Sequence, residues 1–156
     1  LTVTDSAGRT VTLSKLPQKI VSLAPSNTEI VFSLGLGTRL VAVDDFSDFP
    51  AEASALPKIG GFKLNFEQIV AMNPDVVLAA GGITAPENIK KLEELKLTVV
   101  VVGSVKTTMD SVMADIALVG KVVGAPDKAK QVTEGMQKKL DTLKAKVATA
   151  KGKPKV

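Results

Sequence analysis

The apolar and polar positions along the chain follow two different patterns. Near the N-terminus, in "LTVTDSAGRTVTLS", apolar residues alternate with polar ones at Leu1 and Val3 and again at Val11 and Leu13. Alternation of this kind around an Ala-Gly pair is typical of two antiparallel strands joined by a tight turn. The pattern predicts an N-terminal β-hairpin within residues 1–16.

After Pro17 the apolar residues come in continuous runs as long as strands. The runs are IVSLA at 20–24, LVAV at 40–43, VVLAA at 76–80 and TVVVV at 98–102. Val-rich runs without alternation are typical of strands that are buried on both faces, as in a parallel sheet. Segments with helical features lie between and after the runs, at 27–35, 66–72, 85–95, 107–123 and 127–149. This order predicts an α/β fold, a Rossmann-like open sheet of about four mainly parallel strands with flanking helices and a long C-terminal helix.

Four of the predicted helices begin with a capping side chain that is followed three residues later by an acid or an amide. The pairs are Ser26 with Glu29, Asn65 with Gln68, Thr84 with Glu87 and Thr107 with Asp110. In such a pair the first side chain accepts a hydrogen bond from a free N–H of the first turn, and the second can reach back to the cap. The sequence therefore predicts that Ser26 caps the first helix after the hairpin, with Glu29 as its partner.

Composition excludes several kinds of active site. The chain has 156 residues, 45% of them hydrophobic, and no Cys, His, Tyr or Trp. Disulfides, thiolate sites, the usual catalytic triads and the usual zinc sites are therefore missing. Asp44, Asp45 and Asp48 lie close enough in sequence to hold a hard cation through oxygen ligands, but such acids more often cap and form turns. The sequence favours a protein that is not an enzyme and that has no metal site.

The net charge of +4 is not spread evenly along the chain. Residues 121–156 hold ten lysines and three acids, whereas residues 1–120 hold ten basic and thirteen acidic residues. Few aromatic side chains are present to stack on bases, so the lysines indicate a solvated helix face and no nucleic-acid partner. No stretch approaches the roughly 20 apolar residues that a membrane span needs.

Ligands of open α/β sheets bind beyond the carboxyl ends of the strands, where the strand order switches. Four segments follow or connect the predicted strands at that rim and are our candidates for a ligand site: Pro25 to Asn27, the loop with Phe46, the turn at Gly61 and Phe62, and Gly82. Neither GxGxxG nor GxxxxGK[ST] occurs, so dinucleotide and P-loop sites are excluded.

Three blocks of sequence carry a family resemblance. They are "PQKIVSLAPSNTEIVFSLGLGTRLVAVDDFSDFP", "LPKIGGFKLNFEQIVAMNPDVVLAAGG" and "ENIKKLEELKLTVVVV". In this order and spacing they resemble the N-terminal lobe of the substrate-binding proteins of bacterial ABC importers for cobalamin, haem and ferric siderophores. The resemblance covers about residues 17–156 and is greatest to the cobalamin-binding branch, through FSDFP at 46–50 and the "GGF...NFEQIVAMNPD" block.

The resemblance implies a division of the chain. Proteins of this family have two α/β lobes that are joined by a long rigid helix and clamp the ligand between them. By that likeness the chain comprises an N-terminal hairpin at 1–16, a ligand-binding lobe at 17–126, an inter-lobe helix at 127–150 and the start of a second lobe at 151–156. A single lobe is expected to bind ligand weakly, and it can self-associate through apolar surface that the second lobe would cover.

The resemblance also implies roles for single residues. The pocket wall of the family corresponds to Pro25, Ser26, Asn27, Phe46, Gly61 and Phe62, and Gly82 completes the set of ligand-binding candidates. Glu67 matches an exposed carboxylate that pairs with arginines of the permease. An acid in the first turn of a helix is also favoured by the helix dipole alone.

The implied function is capture of a metal-chelate nutrient in the periplasm or another extracytoplasmic space, followed by delivery to an ABC permease in the membrane. No cofactor is implied, and a signal or lipid anchor would lie outside this chain. The acids of the rim favour a neutral corrinoid over anionic ferric siderophores. Haem proteins of the family commonly use Tyr or His, which this lobe lacks. A ferric siderophore or haem is the alternative ligand.

Two other classes of protein share parts of the pattern. A receiver-like signalling domain also has alternating strands and helices and an acidic pair such as Asp44 and Asp45, but Ala79 to Gly82 stand where its phosphoacceptor Asp should end the third strand. The other alternative is a small metal-dependent enzyme that uses the acidic loop.

Overall fold

The N-terminal segment forms the predicted hairpin. The computed structural model describes residues 1–149. Strands β1 (Thr2–Thr4) and β2 (Thr10–Thr12) pair in antiparallel fashion. The turn between them contains Gly8, whose φ of 76° lies in the left-handed region that glycine adopts without strain.

The four apolar runs form one parallel sheet, as predicted. Its strands are β3 (Ile20–Ser22), β4 (Leu40–Val43), β5 (Val76–Ala80) and β6 (Val99–Val102). They lie in the order β4-β3-β5-β6, and every neighbouring pair is parallel. All of these strand residues except Val41 are buried, which explains why the runs are apolar without alternation.

Helices cover both faces of the sheet. They are α1 (Pro25–Ser33), α2 (Ala51–Ser54), α3 (Phe66–Ala71), α4 (Pro86–Glu94), α5 (Met109–Val123) and α6 (Pro126–Ala148). The sequence did not predict the short α2 or a 3-10 turn at Gly37–Arg39. Within residues 1–149, none of the helices has the length and apolar character that crossing a membrane requires.

Two apolar clusters hold the layers together. On one face, Val76 and Leu78 of β5 pack with residues of α1 and α5 and with Val3 and Leu13 from the hairpin segment. On the other face, alternate residues such as Val77 pack with residues of α3 and α4. The result is a three-layer α/β/α lobe, and the predicted fold class is confirmed.

The long helix α6 packs on α5 and then continues without cover. A Cβ added to Gly120 of α5 would lie 2.4 Å from the Cβ of Ala129, so the two helices are in close contact there. From Asp141 to Thr149 every residue is exposed. The predicted start of a second lobe, 151–156, lies outside the described residues.

Three of the four predicted helix caps are wrong. Helix α1 begins at Pro25, so Ala24 occupies the cap position and Ser26 is an exposed residue of the first turn. Proline is favoured at the first position of a helix because its missing N–H needs no partner there, and this preference outweighed the cap signal of Ser26. Glu29 therefore has no capping partner in Ser26.

Two of the other three predicted caps are each wrong by one residue. Thr84 does not cap α4, since its Oγ1 accepts a hydrogen bond from the N–H of Ala80 at 3.0 Å instead. Helix α5 is capped by Thr108, in a reciprocal pair with Ser111, and not by Thr107. The cap at Asn65 is confirmed, because its Oδ1 accepts from the N–H of Gln68 at 3.1 Å.

The hairpin covers the outer edge of β6. The N–H of Ser6 donates to the carbonyl of Val101 at 2.9 Å, and the N–H of Val101 donates to Asp5 Oδ2 at 3.1 Å. Arg9 donates to the same carboxylate at 2.7 Å and to the carbonyl of Val99 at 3.2 Å. Burial by itself would raise the pKa of Asp5, but the hydrogen bonds from Arg9 and Val101 outweigh it and lower the pKa below its ordinary value.

Candidate functional site

A cavity of about 540 Å³ lies beyond the carboxyl ends of the strands. The chain passes from β3 to β4 on one side of the sheet and then crosses to β5 and β6 on the other side, so the strand order switches between β3 and β5. The cavity is lined by residues that follow β3, β4 and β5 and by the connection at 61–64. This is the position at which open α/β sheets bind ligands.

Two phenylalanines form one wall of the cavity. The ring centroids of Phe46 and Phe62 lie 5.4 Å apart, and the ring planes are inclined by 60°. Phe46 is 53% exposed and Phe62 is 89% exposed, so both rings offer apolar surface to another molecule. Gly61 lies against Phe46, because a Cβ added to Gly61 would be 2.6 Å from Phe46 Cε2.

A buried polar network lies next to this wall. Asp44 follows β4 directly, is 2% exposed and also lines the cavity. Its Oδ2 accepts from the N–H of Phe46 at 3.1 Å, and its Oδ1 accepts from the hydroxyl of Ser47. The hydroxyl of Thr28 lies 2.8 Å from those of both Ser47 and Ser22. The network ties the loop that carries Phe46 to helix α1 and strand β3.

The structure brings four of the seven ligand-binding candidates to the cavity. Pro25, Phe46, Gly61 and Phe62 line it. Ser26 is exposed outside the lining. As ligand contacts, all seven residues stay predictions.

Asn27 and Gly82 are not among the residues that line the cavity, and both contact other parts of the protein. Asn27 is 1% exposed, and its Nδ2 donates to the carbonyls of Leu78 and Ala79 at 3.2 Å, so it ties α1 to the carboxyl end of β5. Gly82 has a φ of 76°, and a Cβ there would lie 2.5 Å from Val105 Cγ2 in the loop after β6.

Several residues that line the cavity were not among the predicted ligand-binding residues. They are Leu23, Ala24, Asp44, Leu64, Ile83, Thr84, Ala85 and Asn88. Most of them lie at the end of β3 or between β5 and the first turns of α4, so the rule about carboxyl ends pointed to their segments without separating them from their neighbours.

The acidic loop does not bring its carboxylates together. Asp45 and Asp48 are exposed, whereas Asp44 is buried. Among residues 1–149, no group of three His, Cys, Asp or Glu residues is placed so that it could hold a metal ion.

Glu67 lies on a second surface. It is an exposed residue in the first turn of α3, after the cap Asn65. It borders a groove of about 790 Å³ between α3 and α4, together with Lys63 and Lys91. Leu64 lines both this groove and the cavity, so the two surfaces are adjacent.

The fold is thus an open parallel α/β sheet with a cavity at its switch point, which is where proteins of this class bind ligands. The family model described as periplasmic binding protein matches residues 20–156. The chain therefore belongs to the periplasmic binding protein family.

Individual relatives agree with this assignment. The chain is 34% identical over 151 residues to the uncharacterized ABC transporter substrate-binding lipoprotein YvrC of Bacillus subtilis, covering 96% of this chain and 48% of the relative. It is 34% identical over 134 residues to the vitamin B12-binding protein of Vibrio parahaemolyticus, covering 85% of this chain and 48% of the relative. The chain thus spans about half the length of the curated relatives it matches.

Solved structures share the fold. A periplasmic heme-binding protein from Pseudomonas aeruginosa superposes with a TM-score of 0.79 at 28% identity, over 85% of this chain and 48% of the other. The vitamin B12-binding protein BtuF of Vibrio cholerae superposes with a TM-score of 0.76 at 28% identity, over 86% and 52%. The described lobe therefore corresponds to about half of each of these proteins.

Proposed function

We propose that this chain is the N-terminal lobe of a substrate-binding protein that captures a metal-chelate nutrient and delivers it to an ABC importer. The observation that carries the proposal is the pair of exposed rings, Phe46 and Phe62, on a mostly apolar cavity at the switch point of the sheet. Aromatic faces of this kind contribute apolar contact area to a large flat ligand. A corrinoid of the cobalamin type is our first choice, and curated relatives named vitamin B12-binding proteins support it.

The cavity provides only part of an enclosure. Ligand sites usually bury most of the ligand's surface, and a wall with one ring 89% exposed leaves the ligand open on one side. A second lobe that closes over the rings would supply the rest, as the half-length match to the relatives suggests. The chain alone should therefore bind with a dissociation constant above about a micromolar.

The proposed role is binding without chemistry. Among residues 1–149, Asp44 is the one charged side chain in the lining of the cavity. General acid-base chemistry needs groups that can exchange protons with a substrate, and the lining offers no pair of them. One relative is named a lipoprotein and another a periplasmic binding protein, and these names support a location outside the cytoplasm.

A ferric siderophore or haem is the second candidate ligand. The observation that favours it is the match to the heme-binding protein of Pseudomonas aeruginosa at 28% identity. The absence of Tyr and His from this chain means that iron ligands of those types would have to come from outside it.

Two partners are part of the proposal. Glu67, exposed beside the groove of α3 and α4, is the proposed contact with the permease. The chain by itself can also associate with a second copy through α6, where Leu143 is 57% and Val147 is 73% exposed. Sedimentation across a range of concentrations tests that association, and a strictly monomeric chain would refute it.

The ligand is tested by calorimetric titration of this chain with cyanocobalamin, haem and a panel of ferric siderophores. We expect weak binding of cyanocobalamin, lost in Phe46→Ala. The matched control is Phe49→Ala, because Phe49 is in the same loop, is 66% exposed and does not line the cavity. Binding of a siderophore or haem instead would replace the corrinoid by the second candidate. Equal loss in both variants would refute the site.

A further inference from the structure

We infer that Asp44 selects the ligand by charge: it disfavours ligands that present an anionic group to the floor of the cavity and favours those that present hydrogen-bond donors there. The inference rests on the proposed function and adds a specificity-determining residue to it. Asp44 is 2% exposed, whereas Phe46 and Phe62 in the wall are 53% and 89% exposed. We therefore call the part of the cavity surface around Asp44 its floor.

Among residues 1–149, the hydrogen-bond partners of the Asp44 carboxylate are neutral. Its two oxygens accept from the N–H of Phe46 and from the hydroxyl of Ser47. Within residues 1–149 none of the ion pairs includes Asp44. Lys58 packs against the same loop, but its Nζ donates to the carbonyls of Ser47 and Ala53. Within the described residues, the side chain of Asp44 is therefore held by hydrogen bonds from neutral groups and not by a direct ion pair.

The carboxylate keeps capacity for a further donor. An ionised carboxylate offers about four acceptor positions. The two hydrogen bonds from the loop use about half of them, and both come from the loop itself. An amide N–H of a ligand at the floor can therefore be accepted, whereas a ligand carboxylate there would meet a second negative charge.

The rest of the lining strengthens this effect. In the part of the chain that the structure describes, the other lining residues are uncharged, and most are apolar, such as Leu23, Leu64 and Ile83. Charges interact more strongly beside apolar surface than in water, because the effective dielectric constant is lower. A ligand that covers the two rings would also exclude water from Asp44, so the repulsion of an anionic group would be screened little.

The exposed acids of the same loop provide a matched control. Asp45 is adjacent in sequence, carries the same charge and is exposed, and it is not among the lining residues. Neutralising Asp45 changes the net charge of the chain by the same amount as neutralising Asp44. A difference between the two variants therefore reports position and not total charge.

The experiment compares a neutral ligand with anionic versions of it. Cyanocobalamin and a set of its monocarboxylic acids, in each of which one peripheral amide is hydrolysed, are titrated into wild type, Asp44→Asn and Asp45→Asn. We expect at least one acid to bind wild type about tenfold more weakly than the parent compound. Asp44→Asn should remove most of that penalty, and Asp45→Asn should leave it in place.

Asp44→Ser is measured beside Asp44→Asn, and both are checked by thermal unfolding, since either change alters the acceptors for Phe46 and Ser47. The inference is overturned if no acid is penalised in wild type, if the penalty persists in the folded Asp44 variants, or if Asp45→Asn relieves it equally.

Failure of the proposed ligand gives a different result. If cyanocobalamin does not bind and haem does, the corrinoid assignment fails, and haem against its dimethyl ester supplies the same contrast of anionic and neutral ligand. Relief of the haem penalty in Asp44→Asn alone would then support the role of Asp44. If none of these ligands binds, the proposed function fails and the role of Asp44 fails with it.

Discussion

Gly61 lies directly against the ring of Phe46. A Cβ at position 61 would be 2.6 Å from Cε2 and 3.0 Å from Cζ of that ring. Real Cβ atoms do not approach carbon so closely, so a side chain at 61 and the present position of Phe46 are incompatible. The missing side chain of Gly61 thus allows the ring to lie where it forms the wall with Phe62.

Gly61→Ala should displace the ring of Phe46 and weaken corrinoid binding by about tenfold, the scale of one aromatic contact. Calorimetric titration measures the affinity, and the aromatic NMR signals of Phe46 report the displacement. Gly135→Ala is the control, because a Cβ there meets nothing within 4 Å. That control should keep the affinity and raise the free energy of unfolding by up to about 1 kcal/mol through helix propensity. Unchanged Phe46 signals in Gly61→Ala would contradict the prediction.

Asp5→Asn should lower the free energy of unfolding by about 2 to 4 kcal/mol. The change breaks a buried ion pair, and the side-chain NH2 group of the new Asn would face the N–H donors of Arg9 and Val101. The Asp5 side chain is fully buried and accepts from Arg9 and from the N–H of Val101. Urea unfolding measures the loss. Glu93→Gln removes the other, half-exposed partner of Arg9 and should cost less than about 1 kcal/mol. Equal losses in the two variants would show that burial of Asp5 is unimportant.

Asp75 should make stability depend on acidic pH. The hydrogen bond from Lys15, supported by the N–H groups of Gln18 and Lys19, lowers its pKa from 3.8 to about 2. A pKa that is lower in the folded than in the unfolded state stabilises the fold above the unfolded value, and the gain is lost as the pH falls from about 4 to about 2. Because Lys15 is 68% exposed, we expect a gain of about 1 to 2 kcal/mol, below the full linkage value.

The check is chemical unfolding of wild type and Asp75→Asn across that pH range. The variant should be less stable near neutral pH, and the two curves should converge toward about pH 2. Asp45→Asn controls for the loss of one negative charge. A constant difference between wild type and Asp75→Asn down to the acid limit would be inconsistent with the lowered pKa.

Glu67→Gln should leave ligand affinity intact and weaken binding to an ABC permease in lipid discs by about tenfold or more, through loss of a charge pair at the interface. Glu87→Gln is closely matched, since Glu67 and Glu87 are each the second residue of a helix, in α3 and α4, and both are exposed. Measuring how tightly each variant binds the permease in lipid discs separates a specific contact of Glu67 from a general effect of charge at a helix terminus. Equal permease binding by both would remove Glu67 from the interface.

The strands were predictable because burial on both faces leaves a local signature, the continuous Val-rich run. The start of the first helix was harder to predict, because Pro25 and Ser26 favour different starting positions and the cap pattern alone does not decide between them. That start also sets the rotation of the helix, which turns Asn27 toward the carbonyls of Leu78 and Ala79. An error of two residues at a helix start therefore becomes an error about which side chain faces a ligand.

The site was predictable in position more than in detail. The rule that ligands lie beyond carboxyl ends of parallel strands led to Pro25 and Phe46. Leu64 and Asn88 reach the cavity from the long connection before α3 and from inside α4, and only the packing of those segments brings them together. The burial of Asp44 beside two exposed acids likewise has no local signal.

Hydrogen bonds at the two edge strands limit how the carboxyl end of this sheet can be recognised. The hairpin occupies the outer edge of β6, and at the carboxyl end of β4 the N–H and carbonyl of Val43 are bonded to Pro57 and Ile59 at 3.0 Å. Little backbone is left there for a strand from another molecule to join. At the carboxyl end of the sheet, addition of a strand from a peptide is thus disfavoured as a mode of contact, and a partner there has to bind through side chains and helix ends.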